Sequence, residues 1–414
     1  MFKPELLAPA GNLEKLKIAI LYGANAVYLG GKKFSLRSAA SNFELEDIEE
    51  GVAFAHEHKA KVYVVVNMIL HNQDLEGLKE YLEALAKIEV DGVICADLIV
   101  VDYLKKYTPK LEIHISTQQS ITNSHTIKFY EKMGATRVVL AREINKEELR
   151  DLVLKSKIEL EYFVHGAMCV AYSGRCMLSN YYSKRDSNRG GCSQSCRWNY
   201  DLMLDESNNS KIISSEESYF TMSSKDLCLA PKIPELMEIG ISSLKIEGRM
   251  KSIYYLATII STYRQIIDDY SENPGSFVYQ DEYDYHLNKA ANRSVNTGFY
   301  DGEMNYEKQL YNSRDEHPTK EFIGFVLEQK DGYLKLEQRN YFKKGDKVEL
   351  FGPNKEFYAF EINDFYDEEM IEIEVARHPQ QIIYLPFKDN VAKYSMLRKV
   401  LWYETAINNW NCWG

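Results

Sequence analysis

Four of the chain's seven cysteines lie within one short stretch. Cys169, Cys176, Cys192 and Cys196 follow the spacing C-x6-C-x15-C-x3-C. In a reducing compartment, neighbouring thiols persist as ligands of soft metal ions and do not form disulfides. The stretch therefore predicts a thiolate-held metal centre.

The spacing leaves two kinds of metal centre open. Structural zinc is usually held by two C-x2–4-C pairs, and only Cys192 and Cys196 are that close in this sequence. Iron–sulfur clusters accept wider spacing because a cluster is larger than a single ion. The spacing favours an iron–sulfur cluster slightly over zinc.

Composition places the chain among soluble globular proteins. It has 414 residues, 45% of them hydrophobic, and its formal net charge is −11. No uncharged apolar stretch is long enough to span a membrane and the N-terminus does not resemble a signal peptide, so we expect a cytoplasmic protein without a membrane partner. The net charge argues against wholesale non-specific binding of nucleic acid, but residues 161–200 are locally basic.

The elements that must position the cysteines alternate between short apolar strands and amphipathic helices. Seven strand–helix units are followed by an eighth strand near 244–246 and a long helix near 253–270. This pattern predicts a (β/α)8 barrel over residues 1–270, with a Cys-rich insertion at 165–200 after the seventh strand. A doubly wound open sheet is the alternative. Within the barrel we expect a helix opened by Asp74, and a hairpin that pairs 200–205 with 219–222.

In a barrel of this kind the residues after each strand lie together at the C-terminal mouth, where the chemistry is found. We expect catalytic roles for His165, Glu247 and Arg249, and substrate contacts for Arg142 and Lys225. Each has a structural alternative: an ion pair between Arg142 and Glu143, a packed imidazole at His165, and a helix cap at Lys225. Cys228 is either a fifth ligand or a buried thiol, and we favour the buried thiol.

The chain changes in character after the long helix. Residues 271–318 are rich in Asn, Tyr, Asp and Gly and are predicted to be an irregular linker that packs on the barrel. Residues 319–400 contain short alternating strands, including 371–376 and 389–393, and predict a small β-barrel. It resembles a domain of translation GTPases, which hints at an RNA partner; a dimerisation or lid module is the alternative. An aromatic tail occupies 401–414.

Several motifs together resemble the collagenase-like peptidase family U32. They include EYFVHGAMC at 161–169, GRCMLS at 174–179, NRGGCSQSCRW at 188–198, MSSKDL at 222–227 and KIEGR at 245–249. The resemblance is strongest to a branch that hydroxylates the wobble uridine of tRNA to 5-hydroxyuridine and needs prephenate. It implies an iron–sulfur cluster, most simply 4Fe-4S, on the four cysteines. Other members hydroxylate ubiquinone or ribosomal RNA, and an older collagenase label persists.

Hydroxylation suits the sequence better than proteolysis, since no G-x-S-x-G or H-E-x-x-H motif is present and adding oxygen to carbon requires redox chemistry. A metal-containing peptidase and a non-catalytic metal scaffold remain alternatives. A dicarboxylate such as prephenate would call for arginines, and Arg37, Arg142 and Arg249 are the candidates. For the tRNA anticodon loop we expect phosphate contacts from the basic loop, defined as Lys184, Arg185 and Arg189, and stacking on nearby tyrosines: Tyr172, Tyr181 and Tyr182. A paralogue or a second copy is the expected protein partner.

Overall fold

The structure is a computed structural model that describes residues 2–36, 42–201, 203–206, 209–212, 221–291, 293–302, 304–310 and 322–400. Strands and helices alternate through the first two thirds of the chain. In order, they are β1 (Glu5–Pro9), α1 (Leu13–Leu21), β2 (Ala26–Gly30), α2 (Leu45–Glu57), β3 (Lys61–Val66), α3 (Leu78–Lys87), β4 (Gly92–Cys95), α4 (Leu98–Tyr107), β5 (Glu112–Ile115), α5 (Ser124–Lys132), β6 (Arg137–Val139), α6 (Lys146–Lys155), β7 (Glu159–Gly166), α7 (Leu178–Ser183), β8 (Met203–Glu206), β9 (Asn209–Ile212), β10 (Asp226–Cys228), α8 (Ile233–Ile239), β11 (Ser243–Ile246), α9 (Ile253–Glu272), α10 (Asp281–Ala290) and β12 (Val295–Asn296).

Eight parallel strands close into a barrel. Strands β1 to β7 pair in sequence, and β11 pairs in parallel with both β1 and β7. At the closure Ser243 is opposite Glu5 on one side and Glu161 on the other. The ring has no free edge at this point, so the predicted (β/α)8 barrel is confirmed and an open doubly wound sheet is excluded.

Short polar side chains start several barrel helices where the sequence places them. The Asn12 carboxamide accepts a hydrogen bond from the Lys15 amide and begins α1, and Asn145 does the same for α6 by accepting from the Glu148 amide. The β-branched stretch at β3 is buried at every position but the first, as expected for a strand covered on both faces. Local sequence therefore accounts for most of the barrel.

Two predictions in this region were wrong. Helix α3 begins after Gly77 and not at Asp74, because Asp74 ends a short 3-10 turn. Strand β8 pairs with β9, which follows directly after the turn, while part of the predicted partner 219–222 lies outside the described residues. The segment after α9 is not wholly irregular, since it contains α10, which packs on α9, and β12, which joins the barrel sheet through β10.

The C-terminal part is antiparallel and all β, as expected. Its strands are β13 (Phe322–Lys330), β14 (Tyr333–Gln338), β15 (Phe342–Lys343), β16 (Lys347–Phe351), β17 (Phe357–Glu361), β18 (Val375–Ala376), β19 (Ile382–Pro386) and β20 (Met396–Lys399). Six form one sheet in the order β17-β16-β20-β13-β14-β19, and β15 pairs with β18. The strand predicted at 371–376 shrinks to two residues, and the one predicted at 389–393 is replaced by β19 and β20. The aromatic tail lies outside the described residues.

The C-terminal sheet has its own core and also packs on the barrel. The Phe322 ring stacks on Tyr254 of α9 with their centroids 5.1 Å apart, and the Tyr22 hydroxyl donates to the Tyr394 carbonyl at 2.9 Å. Phe322, Phe325 and Met396 belong to the barrel's apolar cluster. Among the described residues, no helix has the length and apolar character needed to cross a membrane.

A buried ionic cluster fills the lower interior of the barrel. The Glu161 carboxylate accepts from Lys245 at 2.6 Å and from Arg137 at 3.2 Å, and Arg137 also contacts Glu5 at 2.6 Å. Burial raises the pKa of Glu161, but the charges of Lys245 and Arg137 outweigh it, so the pKa lies below its usual value. These charges occupy the interior near the strand starts, which leaves the opposite end of the barrel as the mouth.

Candidate functional site

The segment from Cys169 to Cys176, called the cysteine loop below, packs on the loops that follow β5 and β6. Ser173, which is 6% exposed, donates to the Glu143 carboxylate from its amide at 2.9 Å and from its hydroxyl at 2.8 Å. The Ser120 hydroxyl donates to the Ser173 carbonyl. Gly174 has φ +72°, and a Cβ there would lie 2.2 Å from the Gln118 carbonyl oxygen. These contacts hold the segment between Cys169 and Cys176 against the barrel mouth.

Hydrogen bonds within the insertion position the other cysteines. The Cys176 carbonyl accepts from the Ser187 hydroxyl at 2.5 Å and from the Asn188 carboxamide at 3.1 Å. Beside Cys192, the Ser193 amide donates to the Ser179 hydroxyl of α7 at 3.1 Å. One network of small polar side chains thus ties the cysteine segments to α7.

The four thiols lie close enough to influence one another's protonation. Burial raises the pKa of Cys169, and of its charged neighbours Arg142 lowers it while Cys192 raises it. Burial raises the pKa of Cys196 to about 11, with contributions of the same sign from Cys169, Cys192 and Cys176. The cysteines described in the structure are not in disulfides. Without a cation the thiols of Cys169 and Cys196 are therefore held largely protonated, and a bound metal would displace those protons.

The donor chemistry of this group fits a thiolate-held metal centre. All four thiols belong to one insertion, and the positive charges of Arg142 and Arg197 both lower the pKa of the Cys169 thiol. In the described ranges, no three or more His, Cys, Asp or Glu side chains already have the geometry to hold a metal ion. Ligands of one zinc ion must converge to bonds of about 2.3 Å, whereas a cluster separates its ligands more widely.

Arg142 and Glu143 serve different parts of the site. The Arg142 guanidinium lies over the Phe163 ring, 3.9 Å from its centroid, inside the mouth. Glu143 instead accepts both hydrogen bonds from Ser173. Arg142 therefore faces the thiols and the barrel interior, while Glu143 fastens the cysteine loop.

Glu247 and Arg249 follow β11, the strand between β7 and β1 in the ring. The Glu247 carboxylate accepts from the Tyr28 hydroxyl at 2.9 Å, and its charge influences the Cys169 thiol. Arg249 is 5% exposed and donates to the Asn42 side chain. A Cβ added at Gly30 would lie 2.7 Å from the Arg249 guanidinium, so the guanidinium packs directly against the end of β2. Both residues line the mouth, as the barrel pattern predicts.

His165 lies behind the barrel wall and not among the thiols. Its Nδ1 is 3.2 Å from the Tyr263 hydroxyl of α9, and the same hydroxyl donates to the Val164 carbonyl at 2.9 Å. Burial, assisted by Lys251, lowers the pKa of His165 to about 3. The Cys228 thiol lies 3.8 Å from the Tyr263 hydroxyl and is buried. This placement supports the packed imidazole and the buried thiol.

The basic loop divides into two parts. Arg189 makes a bidentate ion pair with Asp74, at 2.6 and 3.1 Å, and donates to the Ile69 carbonyl, so it clamps the insertion to the loop after β3. Lys184 and Arg185 are exposed at the end of α7. Lys225 is half-buried and its amide donates to the Lys308 carbonyl. Arg37 lies outside the described residues.

The structure adds residues to the site that we did not single out from the sequence. The positive charge of Arg197 lowers the pKa of the Cys169 and Cys196 thiols, and the Tyr28 hydroxyl donates a hydrogen bond to the Glu247 carboxylate. Trp198 is 42% exposed and lies against Tyr182. Arg197 and Trp198 directly follow Cys196, so their proximity to a metal ligand was the available signal; Tyr28 offered none.

Fold and site together define a (β/α)8 barrel protein with a thiol-rich centre inserted after its seventh strand. The profile of "Peptidase family U32" matches residues 11–310, and that of "Peptidase family U32 C-terminal domain" matches residues 318–398. The chain belongs to peptidase family U32.

Relatives of this chain carry differing names. A Bacillus subtilis protein named "tRNA hydroxylation protein P1" is 48% identical over 400 residues, covering 96% of this chain and 95% of that one. The Escherichia coli "23S rRNA 5-hydroxycytidine C2501 synthase" is 40% identical over 271 residues, which are 66% of this chain and 40% of that one. A Porphyromonas gingivalis "Collagenase" is 31% identical, with 72% of each chain covered.

Proposed function

We propose that this protein takes part in hydroxylating RNA, with the wobble uridine of tRNA as its substrate and 5-hydroxyuridine as the product. The observation that carries the proposal is the group of four thiols in the insertion after β7, near enough that Cys169, Cys192 and Cys176 all raise the pKa of Cys196. The 48% identity to a protein named for tRNA hydroxylation, over nearly the full length of both chains, supports the choice of RNA. A wobble base is unpaired in the anticodon loop, so it enters a barrel mouth at a cost of only a few kcal/mol of unstacking.

The cysteines are proposed to hold an iron–sulfur cluster, of the 4Fe-4S type, with zinc as the alternative metal. Cys169, Cys176, Cys192 and Cys196 are the ligands in this proposal. When bound, the cluster supplies the electron-transfer chemistry that amino-acid side chains lack. The C-x6-C-x15-C-x3-C spacing supports the larger group over a single ion, because only Cys192 and Cys196 are as close in sequence as the pairs that usually hold zinc. Arg142 and Arg197 stabilise the negative charge of the thiolates.

A small dicarboxylate such as prephenate is proposed to bind inside the mouth beside the thiols. Arg142 follows β6, and the Arg249 guanidinium reaches Gly30 at the end of β2, which lies across the eight-stranded ring from β6. The planar guanidinium matches a carboxylate in two hydrogen bonds, so two arginines suit two carboxylates. Glu247, held by Tyr28, is the candidate to accept or donate a proton there.

The residues support hydroxylation better than peptide hydrolysis. A peptidase needs a nucleophile or water beside a group able to accept its proton. His165 has its Nδ1 on Tyr263 and a pKa of about 3, so burial deprives it of that role at neutral pH. The Ser173 hydroxyl near the mouth donates to Glu143 and anchors the loop.

Mass spectrometry of tRNA nucleosides tests the proposal. A strain lacking the gene would be complemented with wild type, with Cys176→Ser, or with Cys95→Ser as a matched control, because Cys95 is buried in β4 away from the insertion. We expect nucleosides derived from 5-hydroxyuridine to return with wild type and Cys95→Ser but not with Cys176→Ser. Intact nucleosides in the deletion strain would refute the proposal, provided that no paralogue shares the task.

A further inference from the structure

We propose that Tyr181, Tyr182 and Trp198 form an aromatic shelf on which the unpaired bases next to the target nucleotide stack. This inference rests on the proposed function and assigns the surface that holds the loop of the RNA. It names single-stranded RNA as the partner and stacking as the main source of affinity. The three residues are called the aromatic shelf below.

The aromatic shelf is exposed to an extent unusual for large rings. Tyr181 is 82% exposed, Tyr182 is 51% exposed and Trp198 is 42% exposed. An aromatic side chain that packs in a core buries about 150–250 Å² of its surface. Three rings left in water therefore contribute little of the hydrophobic free energy that burial would give to folding. A group of exposed rings within one short insertion marks a surface for a partner.

Two rings of the aromatic shelf, Tyr182 and Trp198, are held in place before any partner arrives. The Tyr182 ring meets Trp198 edge-on, with centroids 6.3 Å apart, and it packs on Tyr200 at 5.3 Å. The Tyr200 hydroxyl donates to the Ser195 carbonyl at 2.6 Å, which anchors this group next to Cys196. Rings already fixed lose little conformational freedom on binding, so more of the stacking energy appears as affinity.

The position of the aromatic shelf links it to the thiols. Helix α7 begins two residues after Cys176, and Trp198 lies two residues after Cys196. Because the Ser179–Ser193 hydrogen bonds tie α7 to the segment of Cys192, the shelf and the thiols form one unit. A loop whose bases stack here would hold its neighbouring nucleotide beside the barrel mouth.

Chemistry around the rings favours RNA over a protein partner. Lys184 and Arg185 are exposed at the end of α7, where they can meet the phosphates between stacked bases. Arg175 and Arg197 add positive charge on the same insertion, in a chain whose net charge is −11. Rings for base stacking combined with cations for the backbone are the usual means of binding single-stranded nucleic acid.

Fluorescence anisotropy on the full-length protein tests the aromatic shelf. The probes are a labelled RNA hairpin with an unpaired loop and a fully paired RNA duplex. The variants are Tyr181→Ala, Tyr181→Trp, which keeps a stacking ring, and Phe129→Ala as a control, since Phe129 is 55% exposed on α5. Tyr181→Ala should weaken hairpin binding about 5- to 150-fold, the range for one stacked base.

The other variants and the salt dependence separate stacking from general effects. We expect Tyr181→Trp to restore hairpin binding, Phe129→Ala to leave it unchanged, and all variants to bind the duplex like wild type. The salt slope should be the same in Tyr181→Ala and wild type, because a stacking ring releases no counterions. Unchanged hairpin affinity in Tyr181→Ala, or an equal loss on the duplex, would overturn the proposal. The proposal would also be overturned if Tyr181→Ala bound RNA normally but lost self-association in analytical sedimentation, because the aromatic shelf would then be a protein interface.

Nucleoside analysis distinguishes failure of the shelf from failure of the proposed function. Suppose that Cys176→Ser abolishes 5-hydroxyuridine while Tyr181→Ala binds the hairpin and supports modification normally. The proposed function is then supported and the role of the aromatic shelf is refuted. If no strain shows a change in tRNA nucleosides but Tyr181→Ala loses hairpin binding, the aromatic shelf is supported as an RNA-binding surface and the wobble-uridine reaction is refuted.

Discussion

Replacing Gly174 by alanine should pull the cysteine loop away from the barrel. Gly174 has φ +72°, and an added Cβ would lie 2.2 Å from the Gln118 carbonyl oxygen, where about 3.4 Å is an ordinary contact. Either the cysteine loop or the loop that follows β5 must therefore shift by roughly 1 Å. That movement would break the Ser120 bond to Ser173 and strain the two Ser173 bonds to Glu143.

A matched glycine isolates the steric part of this effect. Gly77 has nearly the same φ, +77°, but a Cβ there would meet nothing within 4 Å. Both alanine variants carry a left-handed backbone penalty of about 1–2 kcal/mol. Only Gly174→Ala also loses hydrogen bonds, each worth about 1 kcal/mol, so we expect it to be destabilised by roughly 2–3 kcal/mol more than Gly77→Ala.

Urea unfolding of the two variants, with metal content of the purified proteins, provides the measurement. We expect Gly174→Ala to have the lower midpoint and to retain much less metal, while Gly77→Ala retains as much as wild type. Equal unfolding free energies and equal metal content in both variants would show that the contact between the cysteine loop and the loop that follows β5 does not hold the centre.

Three further predictions concern charged and titratable groups. Glu161→Gln should destabilise the barrel by about 3–5 kcal/mol in urea unfolding, because it leaves the buried Lys245 without its carboxylate partner and removes one of the three carboxylates that pair with Arg137. Glu159→Gln, at a carboxylate 53% exposed, should cost at most about 1 kcal/mol, and similar losses in the two variants would contradict this. His165 is neutral in the fold with a pKa of about 3, so between pH 6.5 and 3 the unfolded chain takes up a proton that the folded chain does not. Wild type should therefore lose stability relative to His165→Phe by about 1.4 kcal/mol per pH unit below 6.5, and parallel pH profiles would count against the assignment. Arg185→Ala should reduce the slope of log RNA affinity against log salt concentration by about one. Arg189→Ala, which breaks the ion pair with Asp74, should mainly lower the free energy of unfolding. A reduced salt slope only in Arg189→Ala would contradict this assignment of the two arginines.

Much of the barrel could be predicted because its signals are local. Alternating apolar strands and capped helices located seven strand–helix units, and the order of the units placed the cysteines after β7. Strand β10 was missed because three residues, Asp226–Cys228, are too few to show a period. Helix α10 was missed because its tyrosines and acidic residues resemble a loop, although Tyr283 and Leu287 are buried against the barrel.

The arrangement of the site depends on contacts between residues far apart in sequence. Arg189 looks like any basic surface residue until Asp74, 115 positions away, is brought beside it. Strand periodicity suggests that His165 faces the barrel interior, as Glu161 and Phe163 do, but an irregular register between β7 and β11 turns its ring towards α9. Such placements arise from tertiary packing, and no local pattern encodes them.

Iron and acid-labile sulfide content after anaerobic purification tests most directly whether the four thiols form one cluster. The proteins to compare are wild type, the four single Cys→Ser variants of the insertion, and Cys228→Ser, whose thiol lies at Tyr263. We expect close to four iron and four sulfide per wild-type chain, the same for Cys228→Ser, and a large loss for each insertion variant. One zinc ion per chain without sulfide, or full iron content in the insertion variants, would contradict the proposed centre.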